Sequence, residues 1–338
     1  MLNKKIFSCR GTRDRSEWRA FILGIFLLLA LGGIALSLSV GALSISLNEI
    51  ITAIFSDTPG ANRQVIWNIR LPRTLVGALV GVNLSLAGAI LQGVMKNPLA
   101  DPHIIGVSSG AGLAGVSIMV LFPHKEYLVT PFAFFGAMIA AIFIYILAWK
   151  GGIRPVRIIL AGVAVSAFLN SAISALLVFY SDRVHGALMW MVGGLSARSW
   201  PHLDIILPYT IIGGILAILG ARRLNILNLG DEIARGLGLN VEVSRIALTA
   251  VAALMAASAV SVVGLLGFVG LIVPHAARLL VGSDYRYLLP ASALLGVAVV
   301  TLSDTLARVA FAPIEIPVGI IMAFVGAPFF LYLLRRDA

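Results

Sequence analysis

The chain's few charged residues fall in groups that invite a chemical reading. Arg70-Leu-Pro-Arg73 opens one apolar stretch, and Asp304, Arg308 and Glu315 stand at the end of another. Guanidinium groups recognise carboxylates, of the same chain or of an acidic partner. Two readings of Arg70, Arg73 and Arg308 stay open. They are solvated or snorkelling charges, with an i to i+4 pair between Asp304 and Arg308, or they form a docking patch for an acidic partner. No catalytic set accompanies them. A phosphate loop needs glycine immediately before lysine, yet the five lysines follow Asn3, Lys4, Met95, His124 and Trp149. Any ATPase must therefore be another polypeptide. His275 has no second His or Cys at metal-ligand spacing, so neither a metal site nor a catalytic residue is expected. Cys9 is the only cysteine, which forbids an intrachain disulfide and leaves an inert thiol on a tail.

The elements that hold these residues follow from composition. Of 338 residues, 59% are hydrophobic and 12% charged, and the mean hydropathy is +1.00. Soluble domains carry about 25% charge, so this is an integral membrane protein. A bilayer core needs about 20 apolar residues per helix. Stretches 20–48, 74–95, 127–149, 158–181, 205–221, 246–274 and 316–334 carry no formal charge, and nearly clean runs lie at 104–123 and 287–312. The run 246–274 is too long for one span. Gly264, Gly267, Gly270 and Pro274 divide it into a span and a short return helix. The class is all-α with about ten transmembrane helices, because barrel strands would alternate apolar with polar. Residues 1–19 are a basic tail, and 20–336 form one membrane domain.

Charge sets the orientation. With a cytoplasmic N-terminus, the inner loops collect eighteen of the 25 Lys and Arg; Arg63, Arg70, Arg73, Lys125, Arg183, Arg198 and Arg308 remain outside. Both termini are then cytoplasmic, and the net charge of +10 reflects topology, with no nucleic acid implied. Coupling to protons or sodium needs ionisable groups deep in the membrane, and the spans offer almost none. Asn83, Gln92, Ser166 and Asn170 read first as interhelical hydrogen-bonding groups.

Four segments exceed what a generic bundle needs. They are Arg70-Leu-Pro-Arg73; Asn97-Pro-Leu-Ala-Asp-Pro102 with Gly106-Val-Ser-Ser-Gly110; Leu229-Gly-Asp-Glu-Ile-Ala-Arg-Gly-Leu-Gly-Leu239; and Gly267-Phe-Val-Gly-Leu-Ile-Val-Pro-His-Ala-Ala-Arg278. The second and fourth predict broken helices, and irregular backbone at membrane depth is tolerated where it lines a cavity or is buried in protein. The third predicts a short inner-face helix, started by Gly-Asp-Glu and ended at Gly238, within a segment at about 225–243. It is either a surface-lying connector or a helix that plugs into a cytoplasmic partner.

Taken together, these segments resemble the FecCD-type permeases, the type II ABC importers of ferric siderophores, haem and cobalamin, over about residues 20–336. The resemblance implies type II importer architecture: a homodimer or pair of like subunits in the bacterial cytoplasmic membrane, two ATPase subunits below and an extracytoplasmic substrate-binding protein above. It implies no cofactor in this chain, with ATP and Mg held by the ATPase. By position, Gly230, Asp231, Glu232, Ala234, Leu237 and Gly238 match the coupling segment. Arg70, Arg73 and Arg308 match outer-face positions that pair with the binding protein. Asn97 and Leu99 match the cytoplasmic gate, and Ser166 and Asn170 the path-lining helix. The stretch 189–200 looks more like siderophore than haem permeases, which tend to carry arginine where His185 stands here, and it leaves cobalamin open. The rival class is a secondary transporter or channel that works without nucleotide.

Overall fold

The computed structural model describes residues 12–41, 45–55, 60–150 and 155–337; Cys9, Arg154 and most of the basic tail lie outside them. Among the described residues the regular elements are all helices, with no strand. Chain order is α1 (Thr12–Ser39), α2 (Leu47–Phe55), α3 (Ala61–Val65), α4 (Leu71–Met95), α5 (Val107–Leu121), α6 (Val129–Ala148) and α7 (Pro155–Phe179). It continues with α8 (Val184–Val192), α9 (Trp200–Asn228), α10 (Asp231–Gly236), α11 (Val241–Val263), α12 (Val269–Val281), α13 (Tyr285–Val309) and α14 (Val318–Asp337). Among the described residues, seven helices are long and apolar enough to span a membrane, and three shorter apolar helices begin at Val107, Val269 and Val318, ten together. The expected division of 246–274 occurs at 264–268, where Gly264 (φ +82°) and Phe268 (φ +67°) leave helical geometry. The first apolar run is shorter as a helix than as a sequence. It stops at Ser39, and Glu49 then accepts from the backbone N–H and hydroxyl of Ser46 to start α2.

α4 forms the axis of the bundle and packs against α9, α11, α12 and α13. Small residues permit this. A Cβ on Gly81 would collide with the Gly296 carbonyl of α13, and one on Gly88 with the Gly270 carbonyl of α12. Such backbone approach is how helices associate where lipid is as apolar as leucine. Polar groups tie the same contacts: Asn83 Nδ2 donates to Thr210 Oγ1 at 2.8 Å, and Gln92 Nε2 to the Gly270 and Leu271 carbonyls at 3.3 and 3.2 Å.

Contacts order the helix ends. The start of α4 and the end of α13 share one face of the bundle, through Arg73 and Asp304. The end of α4 and α10 share the opposite face, through Lys96 and Asp231. α1 begins at the α10 face too, because Trp18 Nε1 donates to the Leu280 carbonyl and Arg19 Nε to that of Val281.

Candidate functional sites at the two faces and between them

At one face, the sequence places five charges near helix ends, and the fold brings them together. Asp304 follows one turn before Arg308 on α13, so their side chains meet at 3.3 Å (Nε to Oδ2). Arg73, on the first turn of α4, donates from Nη2 to Asp304 Oδ1 and from Nη1 to Glu315 Oε2, both at 2.9 Å. Arg308 Nη2 also donates to the carbonyl and hydroxyl of Ser37 in α1, at 2.9 and 3.0 Å. Arg70 closes a π-helical turn, Ile66–Arg70, and its Nη1 reaches the Leu38 and Ser39 carbonyls at 2.7 and 3.0 Å. A pit of ≈ 150 Å³ is lined by Arg70, Arg73 and Arg308 with Gly41 and Glu315.

The three arginines are thus neither solvated nor snorkelling, since each is 5–7% exposed. The expectation that the spans bury almost no charge fails here. Asp304 is 2% exposed, and its burial is tolerable because guanidinium donors surround it. The i to i+4 pair is present, as one part of a larger network. Against two carboxylates, Asp304 and Glu315, stand three guanidinium groups, which leaves the pit one positive charge in excess.

At the opposite face, α10 is short because glycine brackets it. Gly230 (φ +113°) precedes it and Gly238 (φ +80°) follows it, both in backbone that favours glycine. Ala234 is fully buried, and Glu232 and Gly236 lie on the surface. Asp231 is clamped: Lys96 Nζ lies 2.6 Å and Arg245 Nη2 2.8 Å from its Oδ1. Burial pushes the Asp231 carboxyl up, but these two cations outweigh it and hold it below the usual carboxylate range. Leu229, Ile233 and Leu237, four residues apart, stand 56%, 56% and 60% exposed. Ile233 lies on α10 and Leu229 and Leu237 flank it, while the two ion pairs fix the start of the helix.

Between the faces, the backbone breaks where the prolines and glycines predict. Lys96 (φ +51°) ends α4, Asn97 Oδ1 accepts from the Leu99 N–H at 2.9 Å, and Pro102–Ile105 make a 3₁₀ turn before Gly106 (φ +74°). Asn97 and Leu99 are half-buried in the turn that follows α4. Ser166 faces Ser109 of α5 at 3.0 Å, so it is an interhelical bond, while Asn170 is exposed. α7 buries little: 17% of its most apolar window, with Leu160, Val163, Phe168 and Val178 outward. Sequence reasoning singled out the break but passed over His103 within it. Its signal was an ionisable residue between two helix-breaking motifs.

The described geometry is that of a polytopic bundle with specialised ends and a broken interior, and comparison with known proteins decides the family. The profile of the FecCD transport family matches residues 27–336. The chain belongs to that family. It is 40% identical to the Fe(3+)-citrate import system permease protein YfmD of Bacillus subtilis, over 96% of this chain and 98% of that protein. It is 45% identical to the cobalamin import system permease protein BtuC of Halobacterium salinarum, over 82% of this chain and 75% of that one. A solved inward-facing structure of a metal-chelate type ABC transporter superposes with a TM-score of 0.83 at 29% identity, covering 94% of this chain and 99% of its own. Members of the FecCD family are permease subunits, and this chain is a multi-span membrane permease of ABC importer type rather than an enzyme.

Proposed function

We propose that this FecCD permease carries a metal chelate, a ferric siderophore first and vitamin B12 or haem as the alternative cargo, across a bacterial cytoplasmic membrane. Two copies enclose the path, two separate ATPase subunits bind ATP and Mg, and an extracytoplasmic binding protein delivers the cargo. The observation that carries the reading is α10. A six-residue helix that presents Ile233, is flanked by the outward Leu229 and Leu237 and starts at a charge-clamped Asp231 offers an apolar contact to whatever covers it. Gly230, Asp231, Glu232, Ala234, Leu237 and Gly238 then form the coupling segment on the cytoplasmic side, with both termini on that side.

The remaining sites take their roles from this frame. The pit with excess positive charge accepts an acidic residue of the binding protein at Arg70, Arg73 and Arg308. Asn97 and Leu99, in the turn after α4 whose Lys96 holds Asp231, serve as the inner gate. The outward face of α7, with Ser166 at its edge and Asn170, Ser171 and Ser174 exposed, belongs against the second copy and the path, because polar groups do not face lipid at that depth. The test is Leu237→Asp in the reconstituted complex. Loss of substrate-stimulated ATP hydrolysis with an intact, folded permease supports the reading, and unchanged stimulation and uptake refute it.

A further inference from the structure

His103 sits where an ionisable side chain is least expected. The Ile104 carbonyl lies against Gly162, the eighth residue of α7, whose seven preceding steps at 1.5 Å set it about 10 Å below that helix's start. His103 is therefore inside the membrane-spanning layer, where an ionisable group marks a functional position. It lines a cavity of ≈ 690 Å³ whose other walls are apolar or small, among them Val192, Phe268, Ala323 and Phe324. The irregular segment 264–268 forms one of those walls, as broken backbone does at membrane depth only beside a cavity or inside protein.

The ring is held from one side. Nδ1 faces the Ser108 hydroxyl in a short contact, and Asp101 Oδ1 lies 3.5 Å away. Asp101 itself is fixed by accepting from the His103 N–H at 3.0 Å. Nε2 is directed toward Gly267, where an added Cβ would come to 3.1 Å of it. When Ser108 donates to Nδ1 the neutral ring carries its proton on Nε2, and the charged ring carries one on each nitrogen, so Nε2 is a donor in both.

We propose that His103 is a specificity-determining contact of the translocation path, offering Nε2–H to an anionic oxygen of a carboxylate-bearing ferric chelate. The inference rests on the importer reading given above. In an apolar passage, one oriented donor discriminates strongly: an anionic oxygen left without a partner there is costly, whereas a neutral chelate gains little from the imidazole.

The test uses the complete complex, with its ATPase and binding protein, in liposomes, and compares initial uptake of ferric citrate with that of ferrichrome, a neutral trihydroxamate. Normalised to ATP hydrolysed, His103→Ala lowers ferric citrate uptake about ten- to a hundredfold, the loss of one hydrogen bond to a charged group, and changes ferrichrome uptake less than about twofold. His103→Gln, which keeps an N–H donor, restores most of the citrate rate, and Gly267→Ala, which crowds Nε2, lowers it. Equal losses for both chelates, or none for either, overturn the proposal. A wild-type complex that carries ferrichrome but not ferric citrate overturns it while sparing the importer reading. A wild-type complex that carries no iron chelate, haem or cobalamin overturns both.

Discussion

Asp304→Asn is the perturbation that most sharply tests the buried network. The carboxylate accepts from Arg73 Nε at 3.1 Å and Nη2 at 2.9 Å and meets Arg308 Nε at 3.3 Å, with its side chain 3% exposed. Neutralising it takes the shared carboxylate from two buried guanidinium groups, and breaking a buried pair costs about 3–5 kcal/mol. Arg73 keeps Glu315 at 2.9 Å, which places the expected loss near the lower limit, about 3 kcal/mol. Glu315→Gln removes a charge that is 46% exposed and solvent-screened, worth about 0–1 kcal/mol. The assay is denaturant unfolding in detergent micelles followed by tryptophan fluorescence. Trp67 and Trp200, ring centroids 5.3 Å apart, report from this region. Replacing Asp304, Arg73 and Arg308 together by Leu, Met and Met recovers most of the loss, because an apolar set strands no charge. Equal shifts for Asp304→Asn and Glu315→Gln, or no shift for the former, refute the reasoning.

Three further outcomes follow from the same geometry. Arg73→Glu weakens capture of the binding protein in a pull-down, most at low salt, where screening is least; capture independent of both the variant and the salt removes the docking role. Gly88→Val drives a side chain into the Gly270 carbonyl and costs upward of about 3 kcal/mol, while Gly214→Ala, with nothing near its Cβ, stays within about 0.5 kcal/mol in the same unfolding assay. Asp284, held at about 2 chiefly by hydrogen bonds from Arg286, contributes stability that is complete above its unfolded value and is lost as pH falls through the folded one. Asp284→Asn therefore flattens the stability profile between about pH 4 and pH 2 and leaves its shape unchanged above about pH 5, which pH-jump unfolding reads directly.

Much of the fold was legible because lipid allows few solutions. Charge-free runs of span length became α1, α4, α6, α7, α9, α11 and α14, the nearly clean ones became α5 and α13, and the glycines after Val263 divided the run 246–274 as expected. The helix at 231–236 showed in its bracketing glycines. The end of α1 did not show, because hydropathy continues past Ser39 while the chain turns toward α2. Nor did the π-helical turn at Ile66–Arg70, which no local pattern distinguishes from an ordinary helix start. The arginines were found as types but misjudged as environment. Residues 73 and 304 are far apart in sequence, and only packing of α4 on α13 shows that each buries the other. His103 was passed over for a similar reason: its depth depends on where Ile104 meets α7.

The central claim is that this bundle moves cargo only when a nucleotide-hydrolysing companion acts on α10, and one measurement addresses it directly. Purified permease is reconstituted in liposomes with and without its ATPase, and labelled ferric chelate uptake is followed with ATP supplied or withheld. The expected result is uptake only with both ATPase and ATP, abolished when Leu237→Asp replaces the wild-type chain. Chelate uptake by the permease alone, driven by an ion gradient or by none, contradicts the account.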